Sequence, residues 1–270
     1  MKITFIGGGN MASALIGGLL QQGFNASEIL VVEINAEARA ALSRTFAVQT
    51  YAAICAEALQ VDLVLLAVKP QQLKALAAEL LPFLQQQLMV SIAAGVRAQD
   101  LSSWLGGYAR VVRAMPNTPA LVRAGITGLY ALPGVSAQER GQAQQVLDAV
   151  GSCVWLAEEA QMDAVTAVSG SGPAYVFYFI EALEAAALEL GLSAEQGREL
   201  ALATFLGAAQ LARSSPDDPA TLRAKVTSKG GTTERAIQAL EQADVKNLIR
   251  SAVQAAALRS KEMGENLGNA

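Results

Sequence analysis

A chain of 270 residues, 52% hydrophobic and 16% charged with a net charge of −4, has the length and apolar content for two domains and lacks the basic field that nucleic acid would require. It contains no histidine, so the commonest general base and the commonest metal ligand are both missing. Cys55 and Cys153 stand far apart without metal-type spacing, so neither a disulfide framework nor a metal site is expected.

The first predicted strand, 3–6, ends at Ile6 and runs into Gly7-Gly8-Gly9-Asn10-Met11-Ala12, a G-x-G-x-x-A turn that opens a helix predicted over 10–22. In such a turn Gly7 bends the chain, Gly9 lets a pyrophosphate reach the backbone, and Ala12 lets helix and strand pack closely. Residues 6–11 are therefore expected to bind a dinucleotide, a ligand-free glycine turn being the alternative. The second strand, 29–33, ends in Glu33, about 20 residues beyond Ala12, where a carboxylate accepts hydrogen bonds from ribose hydroxyls and repels a 2′-phosphate. That favours NADH, although Asn35 and Arg39 close by could accommodate the phosphate.

Further strands are predicted over 48–50, 62–68, 88–92, 110–114, 126–131 and 153–156, with helices over 36–46, 71–84 and 136–150. Leu63 to Val68 is apolar on both faces and belongs in the centre of a parallel sheet. Ala67-Val68-Lys69-Pro70, Ala93-Ala94-Gly95 and Met115-Pro116-Asn117-Thr118-Pro119 each follow a strand, at the carboxyl edge where open α/β sheets place ligands. Lys69 can reach a ribose or phosphate and Asn117 can face a nicotinamide. A solvated lysine and a rigid proline turn are the plainer alternatives.

Beyond residue 160 the strand pattern stops and the chain reads as helices over 173–190, 194–213, 220–226, 232–241 and 245–265. The expected organisation is a Rossmann-type parallel-sheet domain over 1–160 and an all-α domain over 161–270. Ser169-Gly170-Ser171-Gly172-Pro173-Ala174-Tyr175 reads as a flexible, hydroxyl-bearing lead into the first long helix, leaving room for a substrate or serving only as a cap. Residues 175–180 are apolar on every side, and a partner subunit is the economical cover for them. Glu181, Glu184 and Glu189 interrupt this greasiest stretch well short of a membrane span. The N-terminus shows no signal-peptide pattern, so a soluble, cytoplasmic protein is expected.

Between two helical stretches lies Val226-Thr227-Ser228-Lys229-Gly230-Gly231-Thr232-Thr233. Paired glycines permit positive φ and converging amides, and a helix starting near Thr232 adds its positive end, so the run reads as a site for a carboxylate or phosphate. An N-capped turn is the alternative.

Together these motifs resemble pyrroline-5-carboxylate reductase, and the Val226 to Thr233 run is similar to that family's signature. The resemblance implies a Rossmann domain, a helical dimerisation domain that interleaves with its partner, and NADPH or NADH as cofactor. It further implies that the carboxylate of Δ1-pyrroline-5-carboxylate rests on the Ser228 hydroxyl and the amides of Gly230, Gly231, Thr232 and Thr233, with the Thr233 hydroxyl near the ring nitrogen. Ser228 and Thr233 are then the catalytic candidates, with Glu159 near the substrate and Lys225 near the cofactor. Many relatives carry Ser, Thr, Asn or Arg where this chain has Glu33-Ile34-Asn35, so use of both cofactors with a reduced NADPH advantage is expected.

Two other functions remain open to the sequence. The β-hydroxyacid dehydrogenases share the outline but use a lysine on the interdomain helix, and residues 171–190 contain none. A non-catalytic nucleotide sensor would be free to lose Ser228, Gly230, Gly231 and Thr233, all of which are present.

Overall fold

Leu63, Val64, Leu65 and Leu66 are all buried because successive side chains of a strand point to opposite faces and both faces of this sheet are covered. Leu63 and Leu65 join Ile3, Phe5, Leu15 and Ile16 on one side, while Val64 and Leu66 join Ile6, Leu73, Leu80 and Leu101 on the other. The structure, a computed structural model, describes residues 1–269.

Eight strands make one sheet: β1 (Ile3–Ile6), β2 (Ile29–Val32), β3 (Gln49–Tyr51), β4 (Leu63–Leu66), β5 (Leu88–Ser91), β6 (Val111–Met115), β7 (Gly125–Ala131) and β8 (Gly151–Trp155). Their order is β3-β2-β1-β4-β5-β6-β7-β8. Helices α1 (Asn10–Gln21), α2 (Ala36–Phe46), α3 (Leu73–Leu80), α4 (Ala98–Trp104) and α5 (Ala137–Leu147) cover it: α1, α2 and α5 on the face of Phe5, α3 and α4 on the face of Leu66. There follow α6 (Gln161–Val165), α7 (Gly172–Glu189), α8 (Ala194–Ser214), α9 (Pro219–Lys225), α10 (Thr232–Gln242) and α11 (Val245–Asn269).

The sheet is not wholly parallel, because β7 runs antiparallel to β6. Only residues 116–124 join the two strands, short of the dozen or more that a parallel crossover needs. The helix expected over 71–84 is α-helical only from Leu73 to Leu80, with 3₁₀ turns on either side. Pro82 explains the early stop, since it lacks an N–H and disfavours the α conformation of its predecessor.

The expected flexible lead at Ser169 to Tyr175 is also different. The chain is already helical from Gln161, and Thr166–Gly170 forms a π-helical turn closed by Ser171 N donating to Thr166 O at 2.8 Å. This widened turn ends three residues before Pro173, whose ring would crowd the carbonyl four residues back in a regular helix.

Two compact units result: Met1–Ser171 with the chain from Ala256 onward, and Gly172–Ala255. In the second, α7 and α8 approach closely at Gly197, where a Cβ would lie 2.9 Å from the Ala187 methyl. Phe177, Tyr178, Leu200, Leu206 and Leu211 of the same two helices stay exposed, an apolar surface of the kind that marks an interface. Among the described residues, no helix is long and apolar enough to cross a membrane.

Both cysteines are unpaired, and burial together with the neighbouring Asp148 pushes the Cys153 thiol up to about 12. Thiolate, not thiol, is the nucleophile, so Cys153 is expected to resist Ellman's reagent at pH 8 in the native protein and to react after denaturation. Mass spectrometry of the modified native chain showing label at Cys153 would contradict this.

Candidate cofactor cleft and anion-binding turn

β1 leads by α1 to β2 on one side, while β4 lies on the other, so the chain direction across the sheet reverses at β1. A cleft of about 710 Å³ opens at this switch point, lined by Ile6, Gly7, Glu33, Ala67, Val68 and Lys69 among others. The glycines of the turn have different reasons for being there. Gly7 has φ +99, and a Cβ on it would lie 2.7 Å from the Ala67 carbonyl oxygen. Gly9 has extended backbone, φ −72 and ψ −174, and a Cβ there would meet nothing within 4 Å. The protein's own packing does not require glycine at position 9, so the space above it is available to a ligand.

The amides of Gly7 and Gly8 are taken by Val32 O and the Glu33 carboxylate, both at 2.8 Å. Those of Gly9, Asn10 and Met11, at the start of α1, have no partner among the described residues, and Gly9 lines the cleft, the arrangement of a helix terminus suited to an anion. Glu33 also accepts from Asn35 N at 2.8 Å, and the Asn35 side chain caps α2 by accepting from Ala38 N at 2.9 Å. Arg39 spends one guanidinium nitrogen on the carbonyls of Glu33 and Ile34. The β2 end is thus a braced turn with its carboxylate held beside the glycine loop. Lys69 is exposed at the cleft and makes no ion pair among the described residues; Pro70 begins the 3₁₀ turn after it.

Ala93 and Ala94 follow β5 and Asn117 follows β6, so both loops reach the expected edge. The Asn117 side chain accepts from Ile126 N at 3.0 Å and donates to Ser169 Oγ at 3.3 Å, which ties this loop to the π-helical turn.

Glu159, expected beside the substrate, has its carboxylate committed within the first unit. It accepts from Ala98 N at the head of α4 (2.5 Å) and from Arg113 (3.1 Å), whose side chain is only 5% exposed. Removing one member of a pair this buried costs about 3–5 kcal/mol. Arg113 escaped the sequence reading, although a lone charge in the run Val111-Val112-Arg113-Ala114 signalled that a counter-charge was needed. Lys225, expected near the cofactor, lies in the second unit and pairs with Asp217 at 2.5 Å.

The second candidate anion site is the turn between α9 and α10. Gly230 has φ +74, and the Thr227 hydroxyl closes α9 by donating to Arg223 O at 2.6 Å. Two of the four amides expected to hold a carboxylate are engaged internally: Gly230 N donates to Glu234 at 2.7 Å and Gly231 N to Ser228 O at 3.0 Å. The amides of Thr232 and Thr233, in the first turn of α10, and the hydroxyls of Ser228, Thr232 and Thr233 are left to a ligand. Any Cβ at position 231 would come within 2.6 Å of the Ser228 hydroxyl oxygen, so Gly231 leaves room for that hydroxyl. Glu234 is invisible to motif reading, because only the fold shows its side chain turning back on the loop.

A doubly wound sheet with a glycine turn at its switch point and free amides at the first helix defines a dinucleotide-binding protein of the Rossmann class. Residues 159–263 match a family model described as pyrroline-5-carboxylate reductase dimerisation, and residues 2–95 one described as NADP oxidoreductase coenzyme F420-dependent. The chain is 50% identical over 268 residues to the pyrroline-5-carboxylate reductase of Pseudomonas aeruginosa, covering 99% of this chain and 98% of the relative. It superposes on a solved pyrroline-5-carboxylate reductase from Coxiella burnetii with TM-score 0.93 and 42% identity, over 97% of this chain and 98% of that one. The Plasmodium falciparum pyrroline carboxylate reductase with NADP bound gives TM-score 0.86 at 28% identity, over 98% of both chains. The chain belongs to the pyrroline-5-carboxylate reductase family.

Proposed function

We propose that the chain reduces Δ1-pyrroline-5-carboxylate to L-proline with NADPH or NADH, the last step of proline biosynthesis. The observation that carries this reading beyond family membership is the Ser228 to Thr233 turn, with free amides and hydroxyls at a helix terminus, in a chain that also has a dinucleotide cleft. The cleft fits the cofactor: open space above Gly9 and amides at α1 that are unpaired among the described residues suit a pyrophosphate, and Lys69 adds an exposed cation. When bound, the reduced nicotinamide supplies the hydride that C5 of the cyclic imine accepts.

The residues of the second unit position the substrate. Ser228 and the Thr232 and Thr233 amides hold the ring carboxylate, with Gly230 and Gly231 shaping the turn. The Thr233 hydroxyl orients the ring nitrogen, which must carry a proton to make the imine a good acceptor. With no histidine in the chain, that proton arrives with the substrate or comes from water. Positioning and electrostatics suffice for such a transfer.

We assign dinucleotide binding to residues 1–160, including Ala93, Ala94 and Asn117, and substrate binding with dimerisation to 161–270. The exposed faces of α7 and α8 support an interleaved homodimer, and two unpaired cysteines suit the reducing cytoplasm. Glu159 and Lys225 act in this reading through Arg113 and Asp217, holding their elements in place.

Adding Δ1-pyrroline-5-carboxylate to enzyme and NAD(P)H should oxidise the cofactor and yield proline. Turnover of 3-hydroxyisobutyrate or 6-phosphogluconate instead would refute the assignment; α7 has no lysine to move their proton. Because Glu33 is braced in place but opposes a 2′-phosphate, both cofactors should work, with kcat/KM values within about tenfold of each other. Glu33→Gln should shift the ratio toward NADPH, and an unshifted ratio would remove Glu33 from cofactor discrimination.

A further inference from the structure

α11 ends against the turn that follows β5. From Ala256 onward the helix belongs to the first compact unit. Ser260, Gly264 and Gly268 recur every four residues and so share one helix face. A Cβ on Gly264 would lie 3.1 Å from the Gly95 carbonyl oxygen, and one on Gly268 would overlap the Arg97 guanidinium. Gly95 itself has φ +79, and a Cβ there would touch Met263 and Leu267 at 3.4 Å. Leu267 also packs on the core cluster containing Val96 and Leu101. Ser260, only 5% exposed, donates to Asp163 at 2.7 Å and fixes the helix one turn before Gly264.

We propose that the last turns of α11 are a positioning device for the β5–α4 turn, holding the backbone of Ala93 and Ala94 where the dinucleotide lies. Packing alone would explain an apolar contact such as Leu267. It does not explain small residues at successive turns, which bring helix and loop backbone together and leave the loop no room to shift toward the helix. The inference rests on the assignment of Ala93 and Ala94 to the cofactor site.

The test uses the full-length chain with two variants, Gly264→Val and Ser260→Ala. NADPH Kd is measured by calorimetry, KM for NADPH and for Δ1-pyrroline-5-carboxylate by steady-state assay, and folding by thermal melting. Gly264→Val should raise Kd and KM for NADPH roughly tenfold, with Gly264→Ala between it and wild type; Ser260→Ala should raise them about threefold, and the imine KM should stay within about twofold throughout. Should Gly264→Val fail to fold, Ser260→Ala decides alone. A folded variant with a lowered melting temperature but wild-type NADPH Kd would make the helix end merely structural and overturn the proposal. Because NADPH Kd needs no substrate, a chain that binds NADPH but never reduces the imine overturns the proposed function without touching this inference.

Discussion

A Gly9→Val variant is expected to fold like the wild type and to bind NADPH at least about a hundredfold more weakly, the scale of losing one or two charge-assisted bonds from backbone amides to a phosphate. Two features of Gly9 make it so. Its backbone, φ −72 and ψ −174, is extended and suits a β-branched side chain, and the space a Cβ would enter is empty. Only a ligand lying on the turn would meet the new methyl groups. Gly7→Ala should behave in the opposite sense, because φ +99 and an oxygen 2.7 Å from the new Cβ put the strain into the folded chain. A cost of about 1–3 kcal/mol, lowering the melting temperature by roughly 2–4 °C per kcal/mol, is the expected result. Calorimetry with NADPH and a thermal melt on each variant separate the two glycines. If Gly9→Val bound NADPH normally, the pyrophosphate would have to lie elsewhere than on this turn.

That contrast shows which parts of the molecule a linear reading reaches. Ile3–Ile6, Leu63–Leu66 and Leu88–Ser91 were legible because strands buried on both faces are mostly apolar, Thr4 and Ser91 being the exceptions here. The glycine turn was legible because its spacing is a local requirement of the ligand. What escaped was settled by contacts and connections that exist only in the folded chain. α4, with the polar sequence Ala98-Gln99-Asp100-Leu101-Ser102-Ser103-Trp104, has no local N-cap, and its first amide is satisfied by Glu159, 61 residues away. The direction of β7 depended on loop length rather than on strand composition, and an apolar run carries no arrow. The π-helical turn before Pro173 looked like a loop because Ser169, Gly170, Ser171 and Gly172 are poor helix formers, yet Gly170 packs where a Cβ would lie 2.6 Å from the Met115 methyl. In the anion-binding turn the residue types were readable, but which amides remain free was not, since Glu234 and the Ser228 carbonyl claim two of them only in the folded loop.

The division of labour within that turn leads to the second large effect. Thr233 is the second residue of α10, after Gly231 at its N-cap, so Thr233→Ala removes a hydroxyl from a position where alanine is at least as good a helix former. Folding and NADPH Kd should therefore be unchanged. Turnover of Δ1-pyrroline-5-carboxylate should fall about a hundredfold in kcat, the lower range for losing a group that orients a proton at the reacting atom. KM should move little, because in the proposed arrangement Ser228 and the Thr232 and Thr233 amides still hold the carboxylate. Ser228→Ala should show the complementary pattern, with KM raised more than kcat is lowered, since the proposed arrangement puts its hydroxyl on the end of the substrate remote from the transfer. Thr233→Ser restores the hydroxyl and should recover most of the rate. Wild-type kcat in Thr233→Ala would leave the ring nitrogen without a protein partner at this position. Loss confined to KM would instead assign Thr233 to the carboxylate beside Ser228.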